Sequence, residues 1–185
     1  MANFDGKLIG LVGAAQTGKS TIARCLVDNH GFVRHAFMDA LKAMLIKAGM
    51  CTYEECYTRK TKQSRWLMQK IGTEIFIEQI DPLFWVRQTE KKLKELLENG
   101  SIIVVDDIRR PNEAAVIRKF GGILARTVRE DFVDETAGEE HESERYVHQI
   151  PVDFVISAKS GDVERLLTMA EMLAGLGTGC QVEAG

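Results

Sequence analysis

The run KLIGLV (7–12) turns directly into GAAQTGKST (13–21) and then into IARCLVDNH. A short apolar run, a glycine-rich turn and an amphipathic stretch read as strand, loop and helix. The loop fits G-x-x-x-x-G-K-[ST] through Gly13, Gly18, Lys19 and Ser20. Chance places this pattern in roughly one chain of this size in a hundred. Each part has a mechanical job. The glycines let the backbone curl until its N–H groups face an anion. The start of a helix adds partial positive charge. Lys19 can bridge the outer phosphates of a nucleotide, and Ser20 can bind magnesium. The loop from Gly13 through Ala14, Ala15, Gln16, Thr17 and Gly18 to Thr21 is therefore expected to hold a nucleoside triphosphate. ATP is favoured over GTP, because the guanine-reading N-K-x-D string is absent.

Strand and helix patterns alternate over the rest of the chain. FVRHAF (32–37), SIIVVDD (101–107), ILARTVRE (123–130) and VDFVIS (152–157) read as further strands. Between them lie patterns with helical spacing, stopped at Gly31, Gly49 and Gly100. SIIVVDD is the clearest strand, with a continuous β-branched run IIVV suited to burial on both faces. Five strands separated by helices define an α/β three-layer domain with a mainly parallel sheet. The 185 residues are expected to form a single domain. Three segments depart from simple alternation. A helical insert runs over about 50–98, a charged segment with few apolar anchors over about 130–147, and a loose tail over about 176–185. Pieces that cap the carboxyl edge of such a sheet usually carry function.

Composition removes some functions. The hydrophobic fraction of 45% and the charged fraction of 28% are those of an ordinary globular chain. A net charge of −3 gives no electrostatic reason to expect nucleic acid or an anionic membrane as partner. No apolar run approaches the roughly 20 residues needed to cross a bilayer. The apolar start reads as a first strand and not as a signal peptide. Cys25, Cys51, Cys56 and Cys180 form no C-x-x-C pair and no Cys/His metal spacing, so reduced thiols in a cytoplasmic protein are expected.

The other charged clusters bear on what receives the phosphate. Asp106, Asp107, Arg109, Arg110, Asn112 and Glu113 follow the buried strand at its carboxyl end. Acids there can hold magnesium or orient an acceptor, and arginines can clamp a phosphate bidentately. A salt-bridged helix start explains the same string without function. Arg65 and Gln69 lie four apart in the helical insert and share a face. Taken alone, Arg65 reads as a solvated surface charge, and Trp85 fits core packing better than contact with a base. Arg126 and Arg129 end a strand, and the polar segment after them suits a lid that excludes water. HESE (141–144) offers His141 no second ligand at metal spacing, so zinc is not expected there.

Taken in order, the phosphate loop, HAFMDALKAML, RWLMQKIGTEIF, DPLFWV, VVDDIRRPNEAAVIRKFGGILARTVRE and HESE resemble the deoxynucleoside monophosphate kinases of tailed phages. The resemblance spans about residues 7–173. It implies a P-loop kinase fold with an acceptor-binding insert and a lid. It also implies transfer of the γ-phosphate of ATP, with Mg2+, to a deoxynucleoside 5′-monophosphate. It assigns Lys42, Arg65, Gly72, Thr73 and Trp85 to the acceptor side, and Asp107, Arg109 and Glu113 to the strand-end cluster that binds the acceptor. Lys19, Arg109, Arg129 and Asp107 are the implied catalytic set, with Ser20 on the metal. It implies a cytoplasmic location, that of the host if the chain is phage-encoded, and the architecture is compatible with a homodimer. Animal phosphomevalonate kinases share the layout, including adjacent arginines at the same strand end, as in Arg109-Arg110. A kinase of a small non-nucleotide phosphate and a nucleotide-binding regulator without an acceptor are the alternatives.

Overall fold

The computed structural model describes residues 7–131 and 146–177. Most of the charged segment expected as a lid lies outside them, with HESE, and so does the end of the tail from residue 178. The described chain forms two compact units, Met1–His35 with Leu93–Gly185, and Ala36–Lys92.

The first unit is built on five parallel strands, β1 (Leu8–Val12), β2 (Val33–His35), β3 (Ile103–Ile108), β4 (Ile123–Arg129) and β5 (Phe154–Ala158). Their order across the sheet is β2-β3-β1-β4-β5. β1 is central because all five of its residues are apolar or glycine and all are buried. Successive side chains of a strand point to opposite faces. Ile9 and Leu11 accordingly join one core with Ile22 and Leu26 of α1 (Lys19–His30) and Leu166, Ala170 and Leu173 of α6 (Val163–Gly177). Gly10 faces the other way. A Cβ there would lie 2.5 Å from Ile108, 2.7 Å from Leu124 and 3.1 Å from Ile117 of α5 (Pro111–Lys119), so only glycine leaves room for that layer. Helices on both faces of a parallel sheet make the α/β three-layer fold that the sequence leads one to expect.

The strand order also fixes where a ligand can bind. The chain leaves β1 towards β2 and β3 on one side and reaches β4 and β5 on the other. That reversal opens a crevice at the carboxyl end of β1. The glycine loop begins at that end.

The second unit is helical. It contains α2 (Asp39–Lys47), a one-turn segment Glu54–Thr58, α3 (Lys62–Leu67), a segment Met68–Ile80, and the first turns of α4 (Phe84–Glu98). Met68–Ile80 and Glu54–Thr58 are wound wider than an α-helix, with i→i+5 bonds at their ends from Asp81 N–H to the Phe76 carbonyl and from Arg59 N–H to the Glu54 carbonyl. Its core is Leu41, Leu45, Leu67 and Trp85, with Phe76 tilted and Phe84 edge-on against Trp85 at centroid distances of 4.8 Å. Cys51 and Cys56 are joined as a disulfide, which corrects the expectation of four reduced thiols. No helix among the described residues is long and apolar enough to cross a membrane.

Candidate active site

The glycine loop owes its shape to backbone conformations that few residues adopt. Gly18 is left-handed at φ 96° and Gln16 at φ 61°. Gly13 has φ 156°, and a Cβ on it would lie 2.5 Å from the Thr127 hydroxyl and 2.9 Å from that of Thr17. Alternating turns of this kind direct successive N–H groups into one concavity, which suits an anion. The loop is also tied down from the side. The hydroxyls of Thr17 and Thr127 face each other at 2.6 Å, and Thr17 donates to the Ala14 carbonyl at 3.0 Å. Thr127 on β4 thus fixes a loop 110 residues away in sequence.

Lys19 opens α1 and is buried. Its ammonium donates to the carbonyl of Gly13 at 2.8 Å and to that of Ala14. The charge is thereby held at the concave side of the loop. Ser20 is exposed beside it. The loop floors a cavity of about 300 Å3 that is also lined by Arg129, residues 158–163 and Leu166. Asp131 organises the opposite wall. Its carboxylate accepts from the Ser160 N–H at 2.8 Å and pairs with Arg129 at 3.4 Å. The Ser160 hydrogen bond, and after it Arg129, hold this carboxyl below the ordinary range. The wall after β5 had no signature in the sequence and was not among the expected site residues.

At the end of β3 the two adjacent acids part. Asp106 is buried and forms a bidentate pair with Arg34, at 2.9 Å from Nε and 2.8 Å from the terminal nitrogen. Strand alternation sends Asp107 to the opposite face, where it is half-buried. Glu113 accepts from the N–H groups of both Arg109 and Arg110, at 2.8 and 3.0 Å, and so caps the start of α5. Desolvation of its carboxyl group, reinforced by the nearby charge of Asp107, raises its pKa to about 7. Arg126 is engaged by the carbonyls of His148 and Ile150.

The remaining expected residues belong to the helical unit. Lys42 is buried, 4.4 Å from the centre of the Tyr57 ring and 3.4 Å from Asp39. Trp85 is 5% exposed and donates its indole N–H to the Gly72 carbonyl at 2.9 Å. The ring therefore lies in this unit's core. Gly72 is packed so closely that a Cβ would lie 2.5 Å from Leu41 and 2.8 Å from Met38. Arg65 is exposed on α3, and Thr73 is half-buried.

These features are a glycine-rich loop at the switch point of a parallel sheet, with cationic and acidic side chains at the neighbouring strand ends. Parts of the chain are similar to known proteins. The deoxynucleotide monophosphate kinase profile matches residues 53–169. An Acanthamoeba polyphaga mimivirus protein described as "Putative deoxynucleotide monophosphate kinase" is 27% identical over 144 residues, which is 64% of this chain and 72% of that protein. The crystal structure of an unliganded sugar kinase from Janibacter sp. HTCC2649 aligns with a TM-score of 0.52 at 15% identity, covering 97% of this chain and 99% of that one. That likeness concerns the fold alone. The profile defines a kinase, a phosphotransferase of deoxynucleotide metabolism. The chain belongs to the deoxynucleotide monophosphate kinase family.

Proposed function

We propose that the protein transfers the γ-phosphate of ATP to a deoxynucleoside 5′-monophosphate, giving the diphosphate and ADP. The observation that carries this reading is the cavity floored by residues 16–21, with buried Lys19 at its base and Arg129 in its wall. Phosphoryl transfer asks for positioning and charge neutralisation more than for covalent help. The loop N–H groups and Lys19 hold the β- and γ-phosphates of the donor. Arg129 faces the same cavity and offsets charge on the transferring group. Residues 158–163 and Leu166 form a wall for the rest of the nucleotide.

The donor set also fits Mg2+. Ser20 offers a hydroxyl at the helix start, and Asp107 offers a half-buried carboxylate at the end of β3. Bound there, Mg2+ neutralises charge on the β- and γ-phosphates. The acceptor is already an anion, so no general base is needed, and Asp107 and Arg109 orient reactants. In the helical unit, Arg65, Lys42 and Thr73 supply polar contacts to the acceptor. Gly72 and Trp85 set the backbone and core against which it rests.

A coupled ADP-release assay tests the reading. The panel holds the deoxynucleoside monophosphates, AMP, GMP and phosphomevalonate, each with ATP and Mg2+. The expected result is release that depends on at least one deoxynucleoside monophosphate and exceeds that with AMP, GMP or phosphomevalonate. Release with phosphomevalonate alone would move the chain to a small-phosphate kinase. Nucleotide binding with no acceptor-dependent release would make it a regulator.

A further inference from the structure

Away from the phosphate loop, three side chains of different chemistry converge where α1 packs on α6. Cys25 and His30 come from α1, and Glu171 comes from α6. One ligating atom from each lies within 4.8 Å of the others. Cys25 Sγ is 3.8 Å from one Glu171 oxygen, and His30 Nε2 is 2.8 Å from the other. We propose that Cys25, His30 and Glu171 form a Zn2+ site that fastens the far end of α1 to α6.

Zinc binds thiolate, imidazole and carboxylate at about 2.0–2.3 Å, so ligand atoms of a tetrahedral shell lie about 3.3–3.8 Å apart. The sulfur–oxygen separation already meets this. His30 faces the other oxygen of the same carboxylate, and rotation of Glu171, whose side chain is 54% exposed, turns a single oxygen towards both partners. That exposed side leaves the fourth position to water. Two details distinguish the cluster from a plain imidazole–carboxylate pair. His30 Nε2 is sealed from solvent, and although it is close to the carboxylate it makes no hydrogen bond. The Asn29 amide donates to Cys25 Sγ at 3.5 Å, an outer-shell contact that stabilises a thiolate. Gly31 ends α1 in the left-handed conformation, which makes His30 the last helical residue.

Without metal, burial and then the charge of Glu171 raise the pKa of the Cys25 thiol. Uptake therefore breaks the S–H bond, releases the proton to solvent and forms the S–Zn bond. A soft sulfur ligand selects against Mg2+ and Ca2+. Cys25 and His30 lie six and eleven residues beyond Lys19 on the same helix, about 9 and 16 Å along its axis. The site is thus separate from the magnesium position proposed at Ser20.

The test is a Co2+ titration of the full-length, metal-stripped chain in Mg2+-free buffer. A near-ultraviolet thiolate-to-cobalt charge-transfer band is expected, saturating at one equivalent and bleached by Zn2+ but not by excess Mg2+. Cys25→Ser should abolish the band, and Cys180→Ser should keep it. Glu171→Gln, at an exposed position that leaves folding intact by circular dichroism, should weaken Co2+ binding by roughly tenfold or more. Absence of a band in the wild-type chain overturns the proposal. So does a band that survives Cys25→Ser, or one whose affinity is unchanged in Glu171→Gln.

Discussion

The ammonium of Lys19 is buried against loop carbonyls, in the position where a bound polyphosphate would compete for it. Replacing it removes a preorganised positive charge from a poorly solvated place, where such charges matter most. Lys19→Ala is expected to lower the transfer rate by roughly 100-fold or more. Steady-state turnover at saturating substrates, with folding confirmed by circular dichroism, measures this. Near-normal turnover would remove the loop from the chemistry. Thr127 acts differently, because its hydroxyl is engaged with Thr17 of the loop. Thr127→Val keeps the shape of the side chain and deletes its hydrogen bond with Thr17. Losing one such bond costs about 1 kcal/mol. The expected effect is an ATP KM raised about fivefold, with acceptor KM unmoved. An unchanged ATP KM would mean that the loop holds its shape without the tether.

At the scale of elements, the start of α5 carries a titration that can be read in stability. Glu113 caps this helix through two backbone N–H groups, yet desolvation, with Asp107 behind it, raises its pKa from 4.5 to about 7. The folded chain then binds a proton that the unfolded chain releases between those two values. The contribution of Glu113 to stability is therefore greatest below about 4.5, falls as pH rises through this window, and levels off above about 7. The expected loss is on the order of 1–3 kcal/mol. Urea unfolding at pH 5 and pH 8 reads it, and Glu113→Gln, which keeps an oxygen for both N–H groups, should flatten it. Equal slopes in the two proteins would show that another group titrates. The sequence announced a charged helix start after a buried strand, but neither the capping by Glu113 nor its enclosure, which depends on how α5 lies on the sheet. The same division holds elsewhere. β-branched runs made β1, β3 and β4 legible. β2 was read as 32–37 but keeps only Val33–His35. The wide winding of Met68–Ile80 was hidden, because its scattered apolar residues also fit ordinary helical spacing. Thr127, residues 158–163 and the Cys25–His30–Glu171 cluster were illegible, since each depends on segments brought together only by the sheet order and the packing of α6.

Over the whole molecule, the expected residues fall into two sets that the chain itself separates. Lys19, Asp107, Arg109, Glu113 and Arg129 belong to the sheet-containing unit, and Lys42, Arg65, Gly72, Thr73 and Trp85 to the helical one. In the helical set, Trp85 and Gly72 bond to each other and Lys42 is held by Asp39 and Tyr57, so changing any of these three disturbs packing as well as contact. Arg65 is exposed on α3, which makes its substitution the cleaner probe of what this unit binds. A two-site kinase requires that the two sets separate kinetically. A hydrogen-bonded charge pair lost at the acceptor is worth about 1.5–3 kcal/mol. Arg65→Ala is accordingly expected to raise the acceptor KM by about 10-fold or more while leaving the ATP KM within about twofold. The measurement is a full matrix of initial rates over both substrates, made with the best acceptor of the ADP-release panel. Equal rises in both constants would place Arg65 outside the acceptor site, and the exposed face of α3 would then be an ordinary solvated surface.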